Sequence, residues 1–150
     1  MESYTITHKK EFMNKLLKSE LFDNFVFREA VMHTAFKSIL DGHRNKDFYN
    51  TDEQENLSEY LNWGEVRPYI YHIVIGTKSP SYFKIILSTN IAKTTAISNE
   101  VDTFFVNITF KNGDIQVNTG VAYKTFTLDK SPEKIWDEKI KQFLFKYDFL

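Results

Sequence analysis

The residue types with the most chemical potential are gathered in Asp41-Gly42-His43-Arg44-Asn45-Lys46-Asp47, where an extended segment gives way to a turn carrying two carboxylates, an imidazole and two cations. Asp41, His43 and Asp47 have the donor types to hold a divalent cation, and an imidazole beside a carboxylate and an arginine can pair a general base with an anion clamp. The same residues also make an ordinary solvated turn in which Asp41 satisfies nearby backbone N–H groups, and base rates for such turns favour that reading. Tyr49 and Tyr60 follow, interleaved with charges, where aromatic side chains serve recognition. A looser set comprises Arg67, which opens a helix, Lys78 in a connecting turn, and Lys84 and Lys124, which interrupt apolar strand runs. If Lys84 and Lys124 share one sheet face with Asn107, Thr109, Gln116 and Asn118, that face offers a place for a phosphate or an acidic partner. The alternative is a wet face with packed stems and ammonium groups in water. His33 and His72 lie in apolar segments and read as hydrogen-bonded packing residues; Trp63 and Trp136 read as core anchors, and the acidic run from Asp52 to Glu59 as a solvated face.

Most named chemistries lack their fingerprint. There is no G-x-G-x-x-G, no G-x-x-x-x-G-K-[ST], no G-x-S-x-G and no H-E-x-x-H, so dinucleotide, P-loop, α/β-hydrolase and zincin readings lose their usual support. The five glycines have structural assignments instead: Gly42 and Gly113 in turns, Gly64 before a helix, Gly76 after it as a left-handed terminator, and Gly120 between strands. Cysteine is absent, which removes thiol, zinc-ribbon, iron–sulfur and disulfide-scaffold readings and fits a reducing compartment. Nineteen basic against twenty acidic residues give a net charge of −1, so no global field draws the chain to nucleic acid or to an anionic bilayer. Met1 to Lys10 contain no leader-like apolar run, and nothing approaches the ~20 apolar residues of a membrane span. The expectation is therefore cytoplasmic, away from the membrane. A chain of 150 residues can bury roughly 70% of its unfolded surface, enough for one domain over residues 1–150. Its aromatic content of 16% is high, so aromatics beyond the needs of a core are candidates for an interface.

The elements that must position these groups can be read from spacing. Phe12, Met13, Leu16 and Leu17 define a helix with Thr7 as its N-cap. Phe25 to Leu40 reads as two strands broken near His33-Thr34, with Val26, Ala30, Met32, Phe36 and Leu40 sharing one face. Residues 43–62 are irregular. Val66, Tyr69, Ile70, Ile73 and Val74 follow helical spacing, with Pro68 placed in the first turn. Tyr82 to Leu87 is a buried strand, and Asn90 opens a short helix reaching Ser98. Val101 to Gly120 carries the clearest signal: alternating residues flank Asn112-Gly113, a preferred type I′ turn. That turn pairs Lys111 with Asp114, Phe110 with Ile115, Ile108 with Val117 and Asn107 with Asn118. A third strand is expected over Val121 to Leu128. Ser131-Pro132 then opens a closing helix with Trp136, Ile140, Phe143, Leu144 and Tyr147 inward. The predicted core is Phe12, Leu16, Phe104, Val106, Ile108, Phe110, Ile115, Val117, Trp136 and Phe143. The fold class is α+β: a mainly antiparallel sheet with a C-terminal meander around the Asn112-Gly113 hairpin, packed against N- and C-terminal helices.

Several segments together are similar to a family of small uncharacterised proteins of Gram-positive bacteria, a domain of unknown function. They are Glu11-Phe12-Met13-Asn14-Lys15-Leu16-Leu17 with Phe22-Asp23, Leu40-Asp41-Gly42-His43 with Asp47-Phe48, and Val66-Arg67-Pro68 with Gly76. Phe83-Lys84-Ile85, Thr119-Gly120 and Lys124-Thr125-Phe126-Thr127-Leu128-Asp129 with Trp136-Asp137 complete the set. The resemblance implies no activity, cofactor or catalytic residue. Without a catalytic signature, the expectation is a non-enzymatic module that binds or regulates another protein through aromatic and polar surface near residues 43–67. The alternative is a small enzyme or phosphate-ligand binder built from Asp41, His43 and Arg44 with Arg67 and Lys84; weak nucleic-acid binding ranks third. No cofactor or metal is called for, and the sequence leaves the oligomeric state open.

Overall fold

The computed structural model describes residues 1–76 and 78–150. Its strands are β1 (Ser3–Thr5), β2 (Val26–His33), β3 (Lys37–Asp41), β4 (Tyr82–Ser88), β5 (Val101–Lys111) and β6 (Asp114–Tyr123). Its α-helices are α1 (Lys9–Lys18), α2 (Thr51–Gln54), α3 (Trp63–Val74), α4 (Ile91–Ile97) and α5 (Ser131–Lys146). The six strands form one antiparallel sheet in the order β1-β6-β5-β4-β2-β3. The α+β class, the antiparallel sheet and the flanking first and last helices are as the sequence predicts.

Local sequence fixes the centre of the sheet. Asn112 and Gly113 have φ of 54° and 80°, the left-handed pair a type I′ turn requires. All four predicted cross-strand pairs of the β5–β6 hairpin are present. One face collects Phe27, Met32, Phe83, Ile85, Leu87, Phe104, Val106, Ile108, Ile115 and Val117, all buried. Over it lie Phe12 and Leu16 of α1, Trp63 and Ile70 of α3, and Trp136, Ile140 and Leu144 of α5. Phe12 joins Phe22 and Phe149 edge-on, at 5.7 and 5.1 Å between ring centroids, tying the first helix to the last residues. Phe110 and Phe143 of the predicted core pack at its margin, half-buried. Among the described residues no helix covers the opposite face along Lys84, Thr109 and Gln116, which align across three strands.

Several boundaries move, each for a physical reason. α1 starts at Lys9 with His8 rather than Thr7 at the N-cap, its first bond running from the Phe12 N–H to the His8 carbonyl at 3.0 Å, while the Thr7 N–H donates to the carbonyl of Phe149 at 2.9 Å. Pro68 lies inside α3, not in its first turn, because a capping box of Asn62 and Glu65 starts the helix earlier; Gly64 is consequently its second residue. Gly76 does not terminate α3 in a left-handed conformation; Ile75 ends it in extended backbone, and Gly113 is the glycine with positive φ. β6 runs through Gly120 to Tyr123, so no separate strand covers Val121 to Leu128; Gly120 faces Phe105, whose Cβ would lie 3.4 Å from an added methyl. Ser131 is the first residue of α5 and Lys130 holds the N-cap position without a side-chain cap bond, while Asp129 accepts from the Ser131 N–H and hydroxyl at 2.9 and 2.6 Å. Phe36, expected on one face with Val26, Ala30, Met32 and Leu40, is 63% exposed in the β2–β3 turn, while Phe27 replaces Val26 on the inner face.

That last exchange comes from a β-bulge. Phe27 pairs with Leu87 and Glu29 with Ile86, leaving Arg28 as the extra residue of β2. Beyond the bulge β2 and β3 part, and residues 59–63 enter between them. The Leu61 carbonyl accepts from Phe27 N–H at 2.8 Å, Leu61 N–H donates to Gly42 O at 2.9 Å, and Glu59 O accepts from Arg44 N–H at 2.8 Å. Gly42 is required at this junction: a methyl there would sit 2.0 Å from the Phe27 carbonyl oxygen.

Candidate ligand-binding site

A second bulge faces the first. Val101 pairs with Tyr123 and Thr103 with Ala122, so Asp102 is the extra residue of β5. Bulges re-aim side chains that a regular strand would direct elsewhere, and here they bring an arginine and an aspartate to one cleft. The cleft has a volume of about 740 Å³ and lies between residues 58–62 and α4, lined by Arg28, Glu59, Tyr60, Asn62, Asp102 and Thr103 among others. Arg28 is half-buried. Its Nε donates to Ser88 Oγ at 2.9 Å and Nη2 to Thr103 Oγ1 at 3.4 Å, while its guanidinium carbon lies 4.0 Å from the Tyr60 ring centroid. The Thr103 hydroxyl donates in turn to Asp102 Oδ2 at 3.2 Å.

The chain has three arginines, and the other two are spent on structure. Arg44, only 5% exposed, grips Glu65 through Nη1 and Nη2 at 2.9 and 3.0 Å and also donates to the Tyr49 hydroxyl and to Ser58. The Arg44 guanidinium holds the Glu65 carboxyl below its usual range, against the opposing effect of burial; the Asn62 backbone N–H helps. Arg67 grips Asp23 through Nε and Nη2 at 2.8 and 3.0 Å, and that carboxylate raises the arginine's pKa. Among the described residues, Arg28 has no carboxylate within ion-pair distance.

The structure brings some predicted site residues together and scatters others. Asp41 Oδ1 accepts from the His43 backbone N–H at 2.9 Å and meets its Nδ1 at 2.6 Å. These two bonds, the backbone one first, hold the Asp41 carboxyl below the usual aspartate range. His43 Nε2 lies 3.9 Å from Glu59, and its ring packs 4.3 Å from that of Tyr60 at a tilt of 38°. Tyr60 thus links the Asp41–His43 pair to Arg28. Such a pair can orient an imidazole as a base, but here Nε2 faces a carboxylate rather than a hydroxyl nucleophile. Asp47 is exposed on a 3-10 turn over Lys46–Phe48, away from this pair's hydrogen bonds. Lys84 sits on the open sheet face, 3.9 Å from Glu29. It shares that face with Asn107, Thr109, Gln116 and Asn118, whereas Lys124 follows the end of β6, roughly 27 Å away along the strands at about 3.4 Å per residue. Among the described residues no three acid or imidazole side chains are grouped to hold a metal ion.

Sequence reasoning missed Arg28 and Asp102, although a signal existed. Phe27 and Ala30 are buried three residues apart and Thr103 and Phe104 side by side, breaks in alternation that mark a bulge within a strand, and their trace in the sequence is the adjacent apolar residues Val26-Phe27 and Phe104-Phe105.

The chain belongs to a family of unknown function, DUF5721, whose model matches residues 15–150. No curated protein and no solved structure matches it. No helix among the described residues is long and apolar enough to cross a membrane.

Proposed function

We propose that this protein is a non-enzymatic binding module for a small zwitterionic molecule, held in the cleft between residues 58–62 and α4. A carboxylate of the ligand pairs with Arg28, and its amine lies against Asp102 and Glu59. The observation that carries the reading is the double bulge, which delivers opposite charges to one concave surface and leaves Arg28 without a carboxylate of its own. The volume is in the range of small-molecule sites, and an arginine whose fork is held only by hydroxyls and a ring keeps donors for a planar acid.

The test is a thermal-shift and calorimetric screen of amino acids, matched simple carboxylates and matched amines. A ligand at ~100-fold excess over its Kd should raise Tm by roughly 5–10 °C. Arg28→Met, which keeps the stem, should abolish that shift, and Arg28→Lys should retain part of it. If no compound shifts the wild type, or if Arg28→Met responds equally, the reading is wrong.

A second reading, recognition of a protein through residues 43–67, is favoured by Phe48, which is 83% exposed edge-on to Tyr49. Crosslinking to a partner that is lost in both Phe48→Ser and Tyr60→Ala would select it.

A further inference from the structure

A second concavity, distinct from the Arg28 cleft, separates α4 from α5. It has a volume of about 640 Å³ and an apolar floor of Phe25, Ile97, Ile135, Trp136, Ile140 and Phe143. Around its rim stand Lys93 from α4 and Lys139 and Lys146 from α5, with no acidic side chain lining it. Among the described residues none of these three lysines is in an ion pair. The nearest acid along α5, Glu138, lies outside the lining and accepts from Gln142 at 3.3 Å. An apolar trough edged on both banks by cations free of carboxylates, of which Lys146 lies 5.4 Å over the Tyr147 ring, is complementary to one kind of molecule: an apolar chain with an anionic end.

We infer that this groove binds a free, single-chain carboxylate amphiphile, its tail along Ile135–Phe143 and its head among the lysines. The length fits. Ile135 to Lys146 spans roughly 16 Å at 1.5 Å per residue, which matches an extended medium-length acyl chain. A partner helix is a poorer match, because a cylinder 10–12 Å across needs a wider trough than about 640 Å³ spread over roughly 16 Å provides. A membrane headgroup is also a poorer match, because the apolar residues line a recess rather than a projecting face.

Trp136 lines the groove and supplies the readout. Sub-micellar dodecanoate should bind saturably at one site per chain, changing tryptophan fluorescence with a Kd on the order of 10 μM, as burial of about eight methylenes implies. Dodecanol should bind about tenfold more weakly. Lys139→Ala/Lys146→Ala, both exposed positions on α5, should erase that preference while leaving dodecanol binding unchanged. Ala96→Trp, on the exposed side of α4, should block both ligands; if that variant misfolds, the lysine variant still decides. Four results would overturn the inference: no saturable binding of dodecanoate, equal affinity for dodecanol, a preference that survives loss of the lysines, or capture by phosphatidylglycerol vesicles without binding of monomeric dodecanoate.

Discussion

At the scale of single residues, charge type and charge use part company. Arg44 looks like an anion clamp in the sequence because it follows His43 and precedes Lys46, yet it is the buried pin that fastens residues 43–62 to the first turn of α3. Removing it takes a donor from the Tyr49 hydroxyl and Ser58 and leaves the Glu65 carboxylate only the Asn62 N–H. Arg44→Met should cost about 2 kcal/mol of stability at neutral pH, measured by urea unfolding, since hydrogen bonds to charged groups are worth more than neutral ones. The pH dependence has a definite sign. The folded-state Glu65 carboxyl titrates below its ordinary value of 4.5, so its contribution is complete above that value and is lost as pH falls through the lower, folded-state value. The gap between wild type and Arg44→Met should therefore be full above 4.5, the ordinary carboxyl value, and narrow as pH falls below it. The sequence displayed these charges but not their partners: Glu65 lies 21 residues from Arg44, and Asp23 lies 44 from Arg67. Only the fold decides which arginine remains free of a carboxylate, and among the described residues that is Arg28.

At the scale of elements, what could be read was what is locally determined. Asn112-Gly113 and the alternation around it are sufficient to set β5 against β6, and Asn90 caps α4 as its side-chain type suggests, accepting from Lys93 N–H at 2.8 Å. β1 escaped notice because three residues carry too little pattern; its place follows from Tyr4 lying opposite Val117 at the sheet edge. The bulges at Arg28 and Asp102 were illegible as a site because each depends on chain remote in sequence, the first on residues 59–63 wedging beside Gly42. α3 shows the opposite conflict. Its spacing won over the strand preference of Ile, Val and Tyr, and the capping box extended it backward past Pro68, leaving a proline where a helical N–H belongs. Pro68 is exposed. Replacing it with alanine restores one backbone bond and removes the ring's crowding, partly offset by a freer unfolded chain. Pro68→Ala should stabilise the protein by about 1–2 kcal/mol, read as a higher urea midpoint at unchanged slope. An unchanged or lower midpoint would mean that the helix is built around its proline.

At the scale of the whole molecule, the two long sides of the sheet are treated differently. One is sealed by α1, α3 and α5 under a layer of interlocking rings. The other is open along Lys84, Thr109 and Gln116, and only its end is roofed, by Tyr60 over Arg28. Residues 43–62 thus serve as cover and as cleft wall at once, which accounts for part of their aromatic and charged content. The sheet also stops abruptly. β3 is its outermost strand, five residues long, with Ile39 73% exposed and Phe36 63% exposed in the adjoining turn. Backbone donors and acceptors along that margin have no neighbour in the sheet, and such a margin is a template for another chain. Concentrated solutions should therefore drift toward oligomers joined strand to strand, and Ile39→Lys should suppress that drift in light scattering without lowering the melting temperature.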